Sequence, residues 1–407
     1  MLATLIPLFD ENMTVRAYSL FSQKNNYFLE PSYISTGLLD GAGRINGLEI
    51  IDSMGIETLS PDKEIFVPIN NIAIFSDISE ECKAPHERIV LLIDNSILPN
   101  DMYINRMKEL KAQGYRFAIR KLPVPSFEDY RQILLLCSYI FLNHQKIDIN
   151  MAKIYFTKLY PNIKLIAGNI RTTEEYDKLK FQGGYAFYEG EFYRTPVTEG
   201  ETEVSPVKIN YIQLLNIVNE ENFDLTDAAD IIGRDTALVI SLLKIVNRMS
   251  INSEITSIRH ATAMLGQREL KKWTTTAVTK QLCQDKPNEV TRLSLLRAKF
   301  AENLAPVFSM AMKSQELFLM GLFSVLDIML DKPIDEALDM VIVSKDIRKA
   351  LVNHDGPLSL AYYFILQYEN ANWQEVSRIM LIREIEMDDV YNAYCDALRW
   401  YRKIFTE

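Results

Sequence analysis

Histidine is scarce in this chain, with four in 407 residues, at His86, His144, His260 and His354. Chemistry that needs a cluster of imidazole ligands has little to draw on. Cysteine is equally sparse, at Cys82, Cys137, Cys283 and Cys395 with no CxxC pair. That spacing excludes a zinc knuckle and a dithiol redox centre, and leaves four reduced, buried thiols as the expectation. Long apolar runs are missing too. The stretch from Ile133 to Leu142 carries Cys137, Ser138 and Tyr139 and suits a buried strand and its approach, not a membrane span. The opening Met1 to Pro7 lacks the basic and long apolar regions of a signal peptide, so a cytoplasmic protein without membrane contact is expected. Basic residues number 44 against 54 acidic ones, for a net charge of -10, which argues against a broad nucleic-acid surface. GxxxxGK[ST] and GxSxG are both absent, which removes the P-loop and the nucleophile elbow.

What remains is an ordinary folded composition, 48% hydrophobic and 24% charged with 15 Gly and 15 Pro, in a chain long enough for two domains. Up to about Pro196, β-rich runs alternate with helical patterns. Leu2 to Leu8 and Val15 to Phe21 read as strands joined by the polar turn Asp10-Glu11-Asn12. Ile65 to Ile69, Arg88 to Ile93, Tyr115 to Ile119, Tyr139 to Leu142, Ile163 to Ala167 and Tyr185 to Phe187 read as six more. Helix-compatible spacing occupies Asp101 to Gln113, Ser126 to Cys137, Asp148 to Leu159 and Thr172 to Gln182. The order predicts a (β/α) barrel modified by its opening hairpin. An acidic, proline-closed stretch, 199–206, marks the boundary between a domain over 1–198 and an all-α domain over 207–407. In the latter, Asp224 is placed to cap a helix ending at Gly233, and Asp235 to cap another; further helices are expected over Gln267 to Cys283, Glu289 to Met312, Gln315 to Leu330, Pro357 to Tyr368 and Met387 to Phe405.

Local motifs offer little chemistry by themselves. Gly41-Ala42-Gly43-Arg44-Ile45-Asn46-Gly47 misses the dinucleotide-loop spacing by one residue and reads as a turn. His354-Asp355 lacks the further His and Asp ligands that a metal site needs, and a helix-to-turn junction closed by Gly356-Pro357 accounts for it. Arg268, Lys271 and Lys272 read as a solvated helix face. Glu80-Glu81, Glu174-Glu175 and Asp388-Asp389 fall in loops or at helix starts, where solvent and the helix dipole explain them.

The second domain also carries Phe223-Asp224-Leu225-Thr226-Asp227-Ala228-Ala229-Asp230-Ile231-Ile232-Gly233-Arg234-Asp235, then Leu242-Leu243-Lys244-Ile245-Val246-Asn247. Ile255-Thr256-Ser257-Ile258-Arg259-His260-Ala261 and Leu265-Gly266 follow. These ordered blocks resemble the HDOD domain, a helical relative of the HD phosphohydrolases without their metal ligands. With an α/β domain in front, the chain resembles bacterial EAL-HDOD signalling proteins. The resemblance implies an EAL-like barrel, whose active members hydrolyse cyclic di-GMP with two divalent metals held by carboxylates and an Asn, aided by a Lys. In that register Ser19 stands for the signature Glu, Gln23 for the substrate Arg, Pro68 for the ligand Asn and Leu91 for a ligand Glu. Arg120 and Lys121 stand for the Asp pair, Phe141 and Asn143 for the Lys and its neighbouring Asp, and Gly168 and Arg171 for the residues of the second acidic motif. Gly184, Phe187, Gly190, Phe192 and Pro196 keep the closing scaffold, with Glu189 in place of its usual Gln.

Without those anionic ligands a two-metal site is not expected, and Arg120 and Lys121 would repel divalent cations further. The sequence therefore predicts a degenerate barrel without enzymatic activity, metal or cofactor. Its role would be regulatory or scaffolding, with signalling proteins bound through the HDOD domain. Two alternatives stay open: a non-hydrolysing cyclic di-GMP receptor using Arg120, Lys121 and Arg171, and an active metallophosphodiesterase.

Overall fold

A computed structural model describes residues 1–26, 28, 45–198, 203–220, 222–249 and 254–406. The proposed turn at Gly41 to Arg44 and residues 199–202 of the acidic stretch lie outside them.

Eight strands close a barrel in sequence order: β1 Leu2–Phe9, β2 Val15–Gln23, β3 Glu64–Pro68, β4 Ile89–Ile93, β5 Arg116–Ile119, β6 Tyr139–Asn143, β7 Lys164–Ile170 and β8 Phe187–Gly190. Strand β1 runs antiparallel to both neighbours, because a tight turn and not a crossover helix joins it to β2. Asp10 builds that turn by accepting from the backbone N–H groups of Asn12 and Thr14. The remaining neighbours are parallel, and the continuous apolar run of β4, Ile-Val-Leu-Leu-Ile, is buried along its whole length, as a strand covered on both faces requires. Leu8, Ala17, Phe66, Val90, Leu92, Ala118, Tyr139, Phe141 and Ile166 fill the barrel interior.

Helices in this part are α1 Asn46–Met54, α2 Ile56–Leu59, α3 Ile78–Glu81, α4 Asp101–Ala112, α5 Arg131–Leu134, α6 Ile149–Leu159 and α7 Thr173–Gln182. Asn46 and Gly47, expected in a turn, begin α1, where Gly47 lies against β3: a Cβ there would stand 2.6 Å from Val67. The helix expected over Ser126 to Cys137 is reduced to α5, with a 3-10 turn at Val124–Ser126 before it. Pro123 precedes that turn and Pro125 lies within it, where a proline without an N–H is tolerated.

Next come α8 Pro206–Asn219, α9 Leu225–Ile232, α10 Thr236–Met249, α11 Ile258–Leu282, α12 Asn288–Leu304, α13 Ser314–Phe323, α14 Leu326–Leu330, α15 Ile334–Asp339 and α16 Lys345–Arg348. Asp224 caps α9 by accepting from Thr226, and Asp235 accepts from the Leu238 N–H at the start of α10. Asn247 clamps Ile255, accepting from its N–H at 2.7 Å and donating to its carbonyl at 2.9 Å. Helix α11 bends at Gly266 (φ 70), and α12 stops at Leu304, two residues before Pro306 and short of the expected Met312. His354 takes φ 53 after a π-turn, as a helix-to-turn junction predicts. The chain ends in α17 Ser359–Glu369, α18 Trp373–Ile382 and α19 Met387–Thr406.

Two compact units result, and they differ from the expected 1–198 and 207–407. One comprises Met1–Thr195 with Pro306–Ala311 and Tyr363–Glu407; the other comprises Pro196–Ala305 and Met312–Tyr362. The physical reason lies on β1. Fully buried Tyr368 accepts the Ala3 N–H at 3.2 Å and packs on Trp373 and Tyr394, while Ser377 Oγ accepts from Gln23 at 3.0 Å.

Candidate functional site

In a barrel of mostly parallel strands, functional side chains gather where the strands end, and ten of the positions singled out from the sequence lie on or just after β2 to β7. Side chains alternate along a strand, so the filled interior fixes which of them point inward. Ala17 is in the interior, which turns Ser19 and Phe21 inward. Phe66 does the same for Pro68 on β3, Ala118 for Arg120 beyond β5, and Phe141 for Asn143 on β6. Val90 and Leu92 face inward on β4; Leu91 therefore points out, against the helical layer, and Leu92 holds the position assigned to Leu91 from the sequence. Strand alternation was the signal that could have corrected it.

Arg120 meets Phe21, Phe141 and Glu189. Its Nη2 lies 2.8 and 2.9 Å from the two carboxylate oxygens of Glu189, and the side chains are 17% and 14% exposed. The guanidinium carbon stands 4.3 Å from the Phe141 ring centre and 5.1 Å from that of Phe21, within cation–π range of both. Gly168 lies beside the pair, where a Cβ would be in ordinary contact with Glu189 Oε2 at 3.5 Å. Ser19 is completely buried, and its Oγ has no hydrogen-bond partner among the described residues. Glu189 enters the sequence reading as a scaffold departure, whereas here it is Arg120's counter-ion.

Other singled-out residues stand apart. Pro68 is exposed at the end of β3. Lys121 is exposed and takes φ 58 immediately after Arg120. Arg171 is exposed, and its backbone N–H donates to Glu175 Oε2 at 2.8 Å. Asn143 Oδ1 accepts from Gln145 N at 3.0 Å and shapes the turn after β6. Gln145 and His144 then reach the same Glu175, at 2.7 and 3.3 Å. Burial raises the Glu175 carboxyl, but hydrogen bonds from Arg171 and Gln145 and the nearby His144 outweigh it and hold the carboxyl below its ordinary value.

Divalent cations need several anionic oxygen ligands. Among the described residues no group of three or more His, Cys, Asp or Glu side chains could hold a metal ion. The positions expected to hold metal ligands carry Ser19, Pro68, Leu92, Phe141 and Gly168, none of them an anionic side chain, and the Glu189 carboxylate is already engaged by Arg120. This donor set does not fit a pair of divalent cations.

In the helical unit, Arg268 is exposed, Lys271 is half-buried and held below its ordinary value by burial, and Lys272 lies 3.5 Å from Glu302. They do not form a basic face. His354 stacks at 6.2 Å on Tyr362. Among the described residues no helix is long and apolar enough to cross a membrane.

Comparison with known proteins adds the following. Residues 206–330 match the family model described as HDOD domain, so the chain carries an HDOD domain. A Vibrio cholerae protein named cyclic di-GMP phosphodiesterase CdgJ is 28% identical over 331 residues, 79% of this chain and 74% of that protein. The Bacillus subtilis protein YuxH is 27% identical over 410 residues, covering 97% and 96%. Among solved structures, the complex of the PaMucR phosphodiesterase with c-di-GMP has TM-score 0.38 at 15% identity, over 47% of this chain and 94% of that one. The cAMP-bound EAL enzyme Bd1971 has TM-score 0.37 at 15% identity over 46% of this chain, which spans 61% of that protein's length. Of the expected architecture, a closed eight-stranded barrel followed by helices that carry an HDOD domain is what is found. The expectation that the chain is not an enzyme is corrected: the Vibrio relative is named a phosphodiesterase, which points to an enzyme.

Proposed function

We propose that this chain acts in cyclic di-GMP signalling in the cytoplasm, taking the dinucleotide at the barrel mouth and contacting signalling proteins through its HDOD domain. The EAL-HDOD architecture and the relative named for its action on cyclic di-GMP support that class of signalling. The observation that carries the ligand site is the cationic end of the barrel. Arg120, Lys121 and Arg171 follow β5 and β7 at the strand ends, where such folds bind ligands, and phosphodiester oxygens are recognised by such groups. The relative's name also supports hydrolysis of the same dinucleotide. Four buried cysteines without disulfides accord with a reducing compartment.

The test incubates the purified full-length protein with cyclic di-GMP and Mg²⁺ or Mn²⁺, following binding and linear-product formation in one sample. Saturable binding is the expected result; turnover beside it would make the chain a hydrolase, and binding alone would make it a receptor. Neither would overturn the ligand assignment. Contacts of the HDOD domain are tested by co-purification with the full-length protein, against a variant carrying Ile240→Glu at a half-exposed position on α10. Loss of a specific partner in the variant is expected, and an unchanged set of partners would move the contact surface elsewhere.

A further inference from the structure

We propose that Glu189 is a built-in competitor for Arg120: the barrel mouth is an anion site occupied by the protein's own carboxylate, and a phosphodiester binds by displacing it. This rests on the reading of the mouth as the ligand site and adds how entry is controlled.

Four observations carry it. First, the cation is fixed whichever anion it holds, because Phe21 and Phe141 flank the guanidinium from two strands, at 5.1 and 4.3 Å. Second, the existing ion pair is an incomplete one. Both Glu189 oxygens are served by Nη2 alone, at 2.8 and 2.9 Å, not by the parallel two-nitrogen fork that makes guanidinium–carboxylate pairs strong. Nε and Nη1 have no partner among the described residues, so a phosphate can be offered more donors than Glu189 receives. Third, a half-buried guanidinium without a counter-ion is costly. At 17% exposure Arg120 needs an anion when no ligand is present, and Glu189 provides one. Fourth, Ser19 Oγ, completely buried on an inward position of β2, has no hydrogen-bond partner among the described residues.

The competition has a definite sign. Removing the charge at 189 while keeping its shape, by Glu189→Gln, strengthens anion binding, and Arg120→Gln weakens it. A hydrogen-bonded charge of this kind corresponds to roughly tenfold in affinity.

The experiment titrates full-length wild type, Glu189→Gln and Arg120→Gln with cyclic di-GMP by calorimetry in EDTA, then records thermal melting of each with inorganic phosphate. Glu189→Ala serves as a second variant if Glu189→Gln does not fold. The expected result is about tenfold tighter binding in Glu189→Gln, at least tenfold weaker binding in Arg120→Gln, and a melting temperature that phosphate raises more in Glu189→Gln than in wild type. Equal or weaker binding in Glu189→Gln, with wild type still binding, would overturn the competition and leave the ligand site standing. If no variant binds the dinucleotide but phosphate still stabilises Glu189→Gln selectively, the competition stands and the dinucleotide assignment falls. If phosphate gives no selective stabilisation either, both fall.

Discussion

Single atoms decide several features of this molecule. At Gly190 an added Cβ would lie 1.9 Å from the Ile170 carbonyl oxygen, so β7 and β8 close the barrel over a position without a side chain. Gly190→Ala should lower stability by on the order of 3 kcal/mol, read from urea unfolding. Two carboxyls give opposite pH signatures. Burial raises Asp235, yet hydrogen bonds from the Tyr211 hydroxyl and the backbone at Leu238 and Ala237 outweigh it and hold the carboxyl below its ordinary value of 3.8. Its contribution is present above that value and fades as the pH falls through the lower folded value. Asp327 is 5% exposed, and burial raises it despite the N–H it accepts from Val197 at 3.1 Å. The folded chain therefore holds that proton more tightly, and stability declines as pH rises from 3.8 through the raised folded value. Asp327→Asn keeps an acceptor for Val197 and loses that slope. Unfolding midpoints should favour the variant increasingly from pH 4 to pH 7, and a constant difference would contradict the assignment.

Among the elements, the strands were the most legible. Seven overlap the predicted β-rich runs closely, while the eighth, expected over Tyr185 to Phe187, is found at Phe187–Gly190; the fully apolar β4 is the plainest case, since a parallel strand buried on both faces must be apolar throughout. Capped helices were legible for a local reason: Asp224, Asp235 and Thr172 each accept from an N–H two or three residues on. The function of the last helices was not legible, since an amphipathic pattern says that a face is buried but not against what. Helix α17 supplies Tyr368, whose hydroxyl oxygen receives the Ala3 N–H of β1 in a fully buried setting. Tyr368→Phe leaves that N–H without a partner and should cost roughly 1–3 kcal/mol in a thermal or urea melt, with the ring packing retained. An unchanged midpoint would show that β1 does not depend on this bond.

For the whole molecule, the barrel unit is discontinuous in sequence, made of Met1–Thr195, Pro306–Ala311 and Tyr363–Glu407. A chain stopped at Pro206 lacks the aromatic cluster around Tyr368 and the Ser377 partner of Gln23. It should lose the cooperative melting transition of the full-length protein and expose apolar surface to a dye such as ANS. A sharp, dye-free transition in the shortened chain would show that the barrel stands without its C-terminal helices. For the same reason HDOD contacts are better mapped by point substitutions than by deletion.

The sequence by itself determined the order and kind of elements, the two-part organisation and the resemblance to EAL-HDOD proteins, because strand burial, helix caps and ordered motif blocks are local properties of the chain. It also placed most candidate site positions at strand ends. Only the tertiary structure decided that Leu92 and not Leu91 faces inward, that the C-terminal helices complete the barrel unit, and that Glu189 holds Arg120 between Phe21 and Phe141. Each of these depends on which distant segments meet, and contacts such as the one between residues 120 and 189 leave no periodicity in the chain between them.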